Sequence, residues 1–165
     1  MSATPPLRHS TPIMPAAAEP HLRELPDLAA TEAFAAAVAT IARAGDAILL
    51  DGPLGAGKTA FARAFLRAAA GDPALEVPSP TFTLVQTYDT AIGPVHHFDL
   101  WRLTGSSALG ELGWDEACDD IVLVEWPDRL GDLRPADALT IALQATEGDA
   151  RRATLSGWPD RIGRL

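Results

Sequence analysis

Residues 47–66 read AILLDGPLGAGKTAFARAFL, and the fold turns on how that stretch is parsed. The apolar run AILLD (47–51) ends at Gly52 and has the form of a buried parallel strand. GPLGAGKT (52–59) matches G-x-x-x-x-G-K-[ST], the Walker A pattern, through Gly52, Gly57, Lys58 and Thr59. A helix is expected to follow to about Ala70, with Phe61 and Phe65 on one face and Gly71 and Pro73 beyond its end. Strand, glycine loop and helix form the order a phosphate cradle requires. The glycines let backbone N–H groups converge on phosphate oxygens, and the helix start adds its positive dipole end. On this reading Leu54, Gly55, Ala56, Gly57, Lys58, Thr59 and Ala60 surround the phosphates of a nucleotide. Lys58 brings a compact charge to the β- and γ-phosphates, and Thr59 brings a hydroxyl to Mg2+. Lys58 is also the single lysine among 13 basic residues. A planar, forked guanidinium does not fit so narrow a cradle, which accounts for a lone lysine in an otherwise arginine-based chain.

A P-loop enzyme also needs a carboxylate at the end of a neighbouring strand, to hold Mg2+ or its water. IVLVE (121–125) has that form, four apolar residues and then Glu125. The competing reading of Glu125 is a strand-end glutamate facing solvent. Val95, His97 and Asp99 share one face of a strand by its period of two. Asp99 is therefore a second carboxylate candidate, near Mg2+ or orienting the attacking water. His97 and Asp99 are too few for a transition-metal site, and His96 and His97 read as structural. In SPTFTLV (79–85) a hydroxyl can reach a γ-phosphate and sense it. Thr81 is the first candidate and Ser79 the second, with an ordinary proline-bounded turn as the alternative.

The rest of the chain reads as mixed α/β. HLRELPD (21–27) suggests a short edge strand and a helix start, and 28–44 a helix between Asp27 as N-cap and Gly45 as C-cap. Strands are expected over 78–90 and 95–101, turning at Gly93-Pro94, and over 121–126, where Pro127 stops the run. Short helical pieces fit 104–118. Residues 138–145 and 151–158 read as a hairpin around Glu147-Gly148-Asp149. The two most apolar runs, 47–51 and 121–126, belong at the centre of the sheet.

At 165 residues the length suits one domain over 21–165, after a Pro-, Ala-, Ser- and Thr-rich extension over 1–20 that reads as disordered. That extension lacks the continuous apolar segment of a secretory signal, and no run is long enough for a membrane span, so a soluble, cytoplasmic chain is expected. Cys118 is the single cysteine and reads as a small buried hydrophobe. The net charge of −9 opposes the basic footprint of a direct nucleic-acid binder but leaves room for a phosphate ligand in a local positive field. Three function classes fit: an ATPase, a small-molecule P-loop kinase, and an ATP-gated binding module without useful turnover. No lid segment typical of the kinases is visible. Arg102, Arg129, Arg151 and Arg152 are candidates for an arginine finger. Asp27–Thr31 and the 147–152 turn are candidates for adenine contacts.

Taken in order, G-x-LGAGKT (52–59), SPTFTLV (79–85), HFDLWRL (97–103), ELG (111–113) and VEWP (124–127) resemble the TsaE (YjeE) family. The resemblance spans about residues 22–158. It implies a P-loop NTPase-like α/β domain with a central, mostly parallel sheet flanked by helices and extended by antiparallel hairpins. It implies an ATPase of bacterial tRNA threonylcarbamoyladenosine formation, working with the TsaD and TsaB proteins and reaching tRNA through them. Carried over, Lys58 and Thr59 bind ATP and Mg2+, and Glu125 is the Walker B-like acid that shares the metal. Asp99 is the aspartate of the HFDL motif, Ser79 to Thr81 form a switch-like loop, and Trp126 matches the tryptophan beside the acid. Two positions depart from the family pattern: Pro53 stands where an acid is usual, and Trp101 where a tyrosine is usual.

Overall fold

A computed structural model describes residues 19–165. The extension expected over 1–20 falls mostly outside the described residues. Seven strands form one sheet: β1 (His21–Leu25), β2 (Ala47–Asp51), β3 (Val85–Thr90), β4 (Gly93–Asp99), β5 (Ile121–Glu125), β6 (Leu139–Ala145) and β7 (Arg151–Ser156). The spatial order is β1-β7-β6-β2-β5-β4-β3. The central run β6-β2-β5-β4 is parallel, and β1, β7 and β3 are antiparallel additions at the two edges. The two apolar runs, β2 and β5, sit side by side in the middle, buried on both faces as their unbroken hydrophobicity requires.

Alternation along the central strands separates two cores. Ile48, Leu50, Ile121 and Leu123 point toward α1 (Leu28–Ile41) and α2 (Lys58–Ala70), which bury Phe34, Val38, Phe61 and Phe65 against them. Phe34 and Phe61 meet edge to face, with centroids 5.7 Å apart. Leu49, Val122, Val124 and Phe98 point to the other side. That face carries only short pieces: 3-10 turns at Ser106–Ala108, Gly110–Leu112 and Pro127–Leu133, and the one-turn α3 (Trp114–Ala117). Trp114 and Leu130 fill the space beneath them.

Several boundaries differ from the sequence reading; the β3–β4 turn, for one, falls at Ala91-Ile92, with Gly93 and Pro94 already in β4. The first helix stops at Ile41 rather than Ala44, because Ala42 is extended and Asp46 captures the next turn. The Asp46 carboxylate accepts from Arg43 N–H (2.8 Å) and pairs with the Arg161 guanidinium (2.7 and 2.8 Å), which also holds the Ile41 carbonyl. Residues 78–84 are a turn and not the start of a strand. Leu84 is left-handed (φ 67°) and donates to the Pro80 carbonyl at 2.7 Å, so pairing begins at Val85. β4 ends at Asp99 because Trp101 N–H donates to the Asp99 side chain at 3.1 Å, an Asx turn. β5 ends at Glu125, and Trp126 leaves it in a left-handed conformation (φ 60°, ψ 56°) before Pro127.

Register then aligns the strand ends. Leu50 lies opposite Glu125, and Glu125 opposite Asp99. The loop after β2 therefore opens beside two carboxylates from two neighbouring parallel strands.

Candidate functional site

The loop 52–57 is shaped by its glycines. Gly52 has φ +142°, and a Cβ there would lie 2.5 Å from the Leu143 carbonyl of β6, so only glycine lets the loop leave the sheet so close to that strand. Gly57 (φ +102°) turns the chain into α2. The next residue, Lys58, is 5% exposed. Its Nζ donates to the Gly52 and Pro53 carbonyls (2.5 and 2.8 Å) and lies 4.0 Å from the centre of the Trp126 ring. Burial pushes the Lys58 ammonium below the ordinary lysine range, and Glu125, Asp51 and Asp99 oppose that shift.

Thr59, in the first turn of α2, donates its hydroxyl to Glu125 Oε2 at 3.0 Å. Glu125 is 2% exposed, so the solvent-facing reading of that residue does not hold. Its other oxygen, Oε1, is 2.9 Å from His97 Nε2 on the neighbouring strand. Asp99 is also buried. Its Oδ2 accepts from Thr81 (3.1 Å) and, more distantly, from Ser79 (3.5 Å), while the two hydroxyls lie 2.8 Å apart. The 79–81 turn is thus tied to the strand end that carries Asp99.

These groups line one cleft of about 400 Å³, bounded by Leu54, Gly55, Gly57, Lys58, Thr59, Ala60, Ser79, Thr81, Asp99 and Glu125, with Trp101 and Trp126 as an aromatic wall. The two indoles are 4.3 Å apart. Ala56 is the one loop candidate not on this wall; it is buried behind the loop, its N–H on the Pro53 carbonyl. A smaller cleft of about 110 Å³ adjoins Gly57 and Ala60 and is closed by Leu28, Thr31, Asp149 and Arg151. It brings together the two segments singled out for adenine contacts.

None of the arginine-finger candidates lines the larger cleft. Arg102 lies over the Phe82 ring, Arg129 donates to the Leu103 carbonyl, and Arg152 pairs with Glu24. Arg151 does something sequence reasoning missed. Its guanidinium donates to the Ala56 carbonyl (3.0 Å) and Gly55 carbonyl (3.4 Å) of the loop, and to the Gly148 and Ala150 carbonyls of its own hairpin. It ties the β6–β7 turn to the outside of the glycine loop. The link of His97 to Glu125 was missed as well, although the strand period had placed His97 and Asp99 on one face.

The donor set suits a hard cation. Thr59 and Glu125 offer oxygens in contact with one another, and no cluster of three or more His, Cys, Asp or Glu side chains able to hold a metal exists among the described residues. A site with so few protein oxygens fits Mg2+, which keeps several waters and takes further ligands from phosphate.

The chain is similar to known proteins over most of its length. The model of the family described as "Threonylcarbamoyl adenosine biosynthesis protein TsaE" matches residues 25–153. A tRNA threonylcarbamoyladenosine biosynthesis protein TsaE of Bacillus subtilis (strain 168) is 34% identical over 137 residues, covering 82% of this chain and 84% of that protein. One from Rickettsia bellii is 34% identical over 127 residues, covering 76% and 88%. The crystal structure of B. subtilis YdiB superposes with a TM-score of 0.71 at 27% identity, covering 88% of this chain and 90% of that one.

Proposed function

The chain belongs to the TsaE family, and on that premise we propose that it is a Mg2+-dependent P-loop ATPase serving tRNA threonylcarbamoyladenosine formation. Residues 21–165 act as one ATPase domain. TsaD and TsaB are its partners, it reaches tRNA through them, and a cytoplasmic location belongs to the same reading. The observation that carries the proposal is the Thr59–Glu125 contact beside Lys58, at the aligned ends of β2 and β5.

The N–H groups of the loop and of the first turn of α2 take the phosphates of ATP, with Leu54–Ala60 around them. Lys58 exchanges the Gly52 and Pro53 carbonyls for β- and γ-phosphate oxygens and stabilises the charge that develops during transfer. Thr59 and Glu125 would hold Mg2+, which when bound neutralises phosphate charge. Glu125 orients water for in-line attack, with Asp99 as the neighbouring carboxylate able to take that role. Ser79 and Thr81 exchange Asp99 for the γ-phosphate and so report its presence. The base occupies the small cleft between Leu28, Thr31 and the 149–151 turn.

Among the described residues no arginine lines the larger cleft to complement Lys58 at the γ-phosphate, and slow hydrolysis by the isolated chain belongs to the same reading. Phosphate release from Mg-ATP, measured with the chain alone and with the matching TsaD–TsaB pair, tests the proposal. Stimulation by the pair is expected. ATP-dependent complex formation without phosphate release would instead make the chain a nucleotide-gated binder, and release that requires a hydroxyl acceptor would make it a kinase.

A further inference from the structure

His97 is the most buried polar side chain near the site, with no measurable exposure, and the hydrolysis scheme above gives it no task. Burying an imidazole in an apolar sheet interior is costly unless its hydrogen bonds are made. Among the described residues a single bond is made, from Nε2 to Glu125 Oε1 at 2.9 Å, and Nδ1 has no partner. A carboxylate oxygen accepts, so Nε2 is the donor in that bond. The bond crosses from β4 to β5 on the α2 side of the sheet, where parallel register sets Asp99 opposite Glu125 and His97 opposite Leu123. Glu125 is consequently gripped at both oxygens, Oε1 by His97 from within the sheet and Oε2 by Thr59 from the helix.

We propose that His97 is a positioning residue: its imidazole occupies one oxygen of Glu125 and aims the other at the Thr59 hydroxyl. This rests on the reading of Glu125 as the metal-side acid. A glutamate has three rotatable side-chain bonds, and one fixed oxygen removes most of that freedom before a cation arrives. Hydrogen bonds to ligating carboxylates commonly tune metal affinity in this way, and their loss costs about 10- to 100-fold.

Mn2+ binding to the chain with ADP, followed by the paramagnetic signal of the free ion, tests the proposal without reference to turnover. His97→Leu and His97→Met, two apolar replacements of comparable bulk, are expected to weaken Mn2+ binding by about 10- to 100-fold. Metal-free ADP binding should stay within about twofold. His97→Gln, which presents an amide N–H at the same reach, should recover most of the loss. In the unaltered chain, nitrogen NMR of the histidines should find the His97 proton on Nε2. If Glu125→Ala weakens Mn2+ binding and the apolar variants do not, or if His97→Gln is no better than they are, His97 merely packs and the proposal is overturned. Absence of a proton on Nε2 overturns it even where no apolar variant folds. If Glu125→Ala itself leaves Mn2+ affinity unchanged, the metal assignment fails, and this inference with it.

Discussion

At the scale of single residues, Lys58 concentrates the argument. It is buried, its ammonium donates to two loop carbonyls, and an indole face lies 4.0 Å away, so its position is set before any phosphate arrives. A guanidinium is too wide for that space. Lys58→Ala is therefore expected to weaken ATP binding by about 10- to 100-fold or more, the worth of hydrogen bonds to a charged group. Lys58→Arg should do nearly as badly despite keeping the charge, and calorimetric titration distinguishes this from a purely electrostatic role, in which arginine would serve. Lys58 and Thr59 were legible in the sequence because the cradle is local: loop, lysine and hydroxyl follow one another within eight residues. Glu125 and Asp99 were legible as acids ending strands. The grip of His97 on Glu125 was not, because it depends on how two strands 28 residues apart are registered.

Elements add what single residues cannot. The central strands were readable from unbroken apolar runs, and the terminal hairpin from its turn signal. The first helix and the 78–84 segment were misjudged where side chains compete with local propensity: the Asp46 carboxylate ends the one, and the Leu84–Pro80 turn replaces the start of the strand expected in the other. The hairpin itself looks like an edge addition in sequence, yet Arg151 carries it onto the glycine loop across 95 residues. Arg151→Ala is expected to lower nucleotide affinity about tenfold, the effect of losing one to two net hydrogen bonds that hold the loop. Arg151→Lys should not restore it, because one ammonium cannot span carbonyls on two segments. Unchanged ADP affinity in Arg151→Ala would show that the glycine loop holds its shape unaided.

For the whole molecule, charge is the deciding quantity. A net −9 places a repulsive field around most of the surface, and the positive features of the cleft are local: one lysine, a helix start and loop N–H groups. The chain alone is therefore expected to show no tRNA binding in a gel-shift titration at 150 mM salt, and to associate with tRNA when TsaD and TsaB are present. Direct binding that weakens steeply with salt would reveal a phosphate-contacting surface that the charge balance argues against. Trp101 and Trp126 wall the cleft, and Leu54 in its lining is 83% exposed.

On the proposed reading Glu125 acts in hydrolysis and not in holding the nucleotide. ATP affinity and Mg2+-dependent phosphate release should be measured on the same preparation of Glu125→Ala. Affinity within a few-fold of the parent chain, with release reduced at least about 100-fold, is the predicted result. Phosphate release at the parent rate would contradict it and move the acid role to Asp99 or away from both carboxylates.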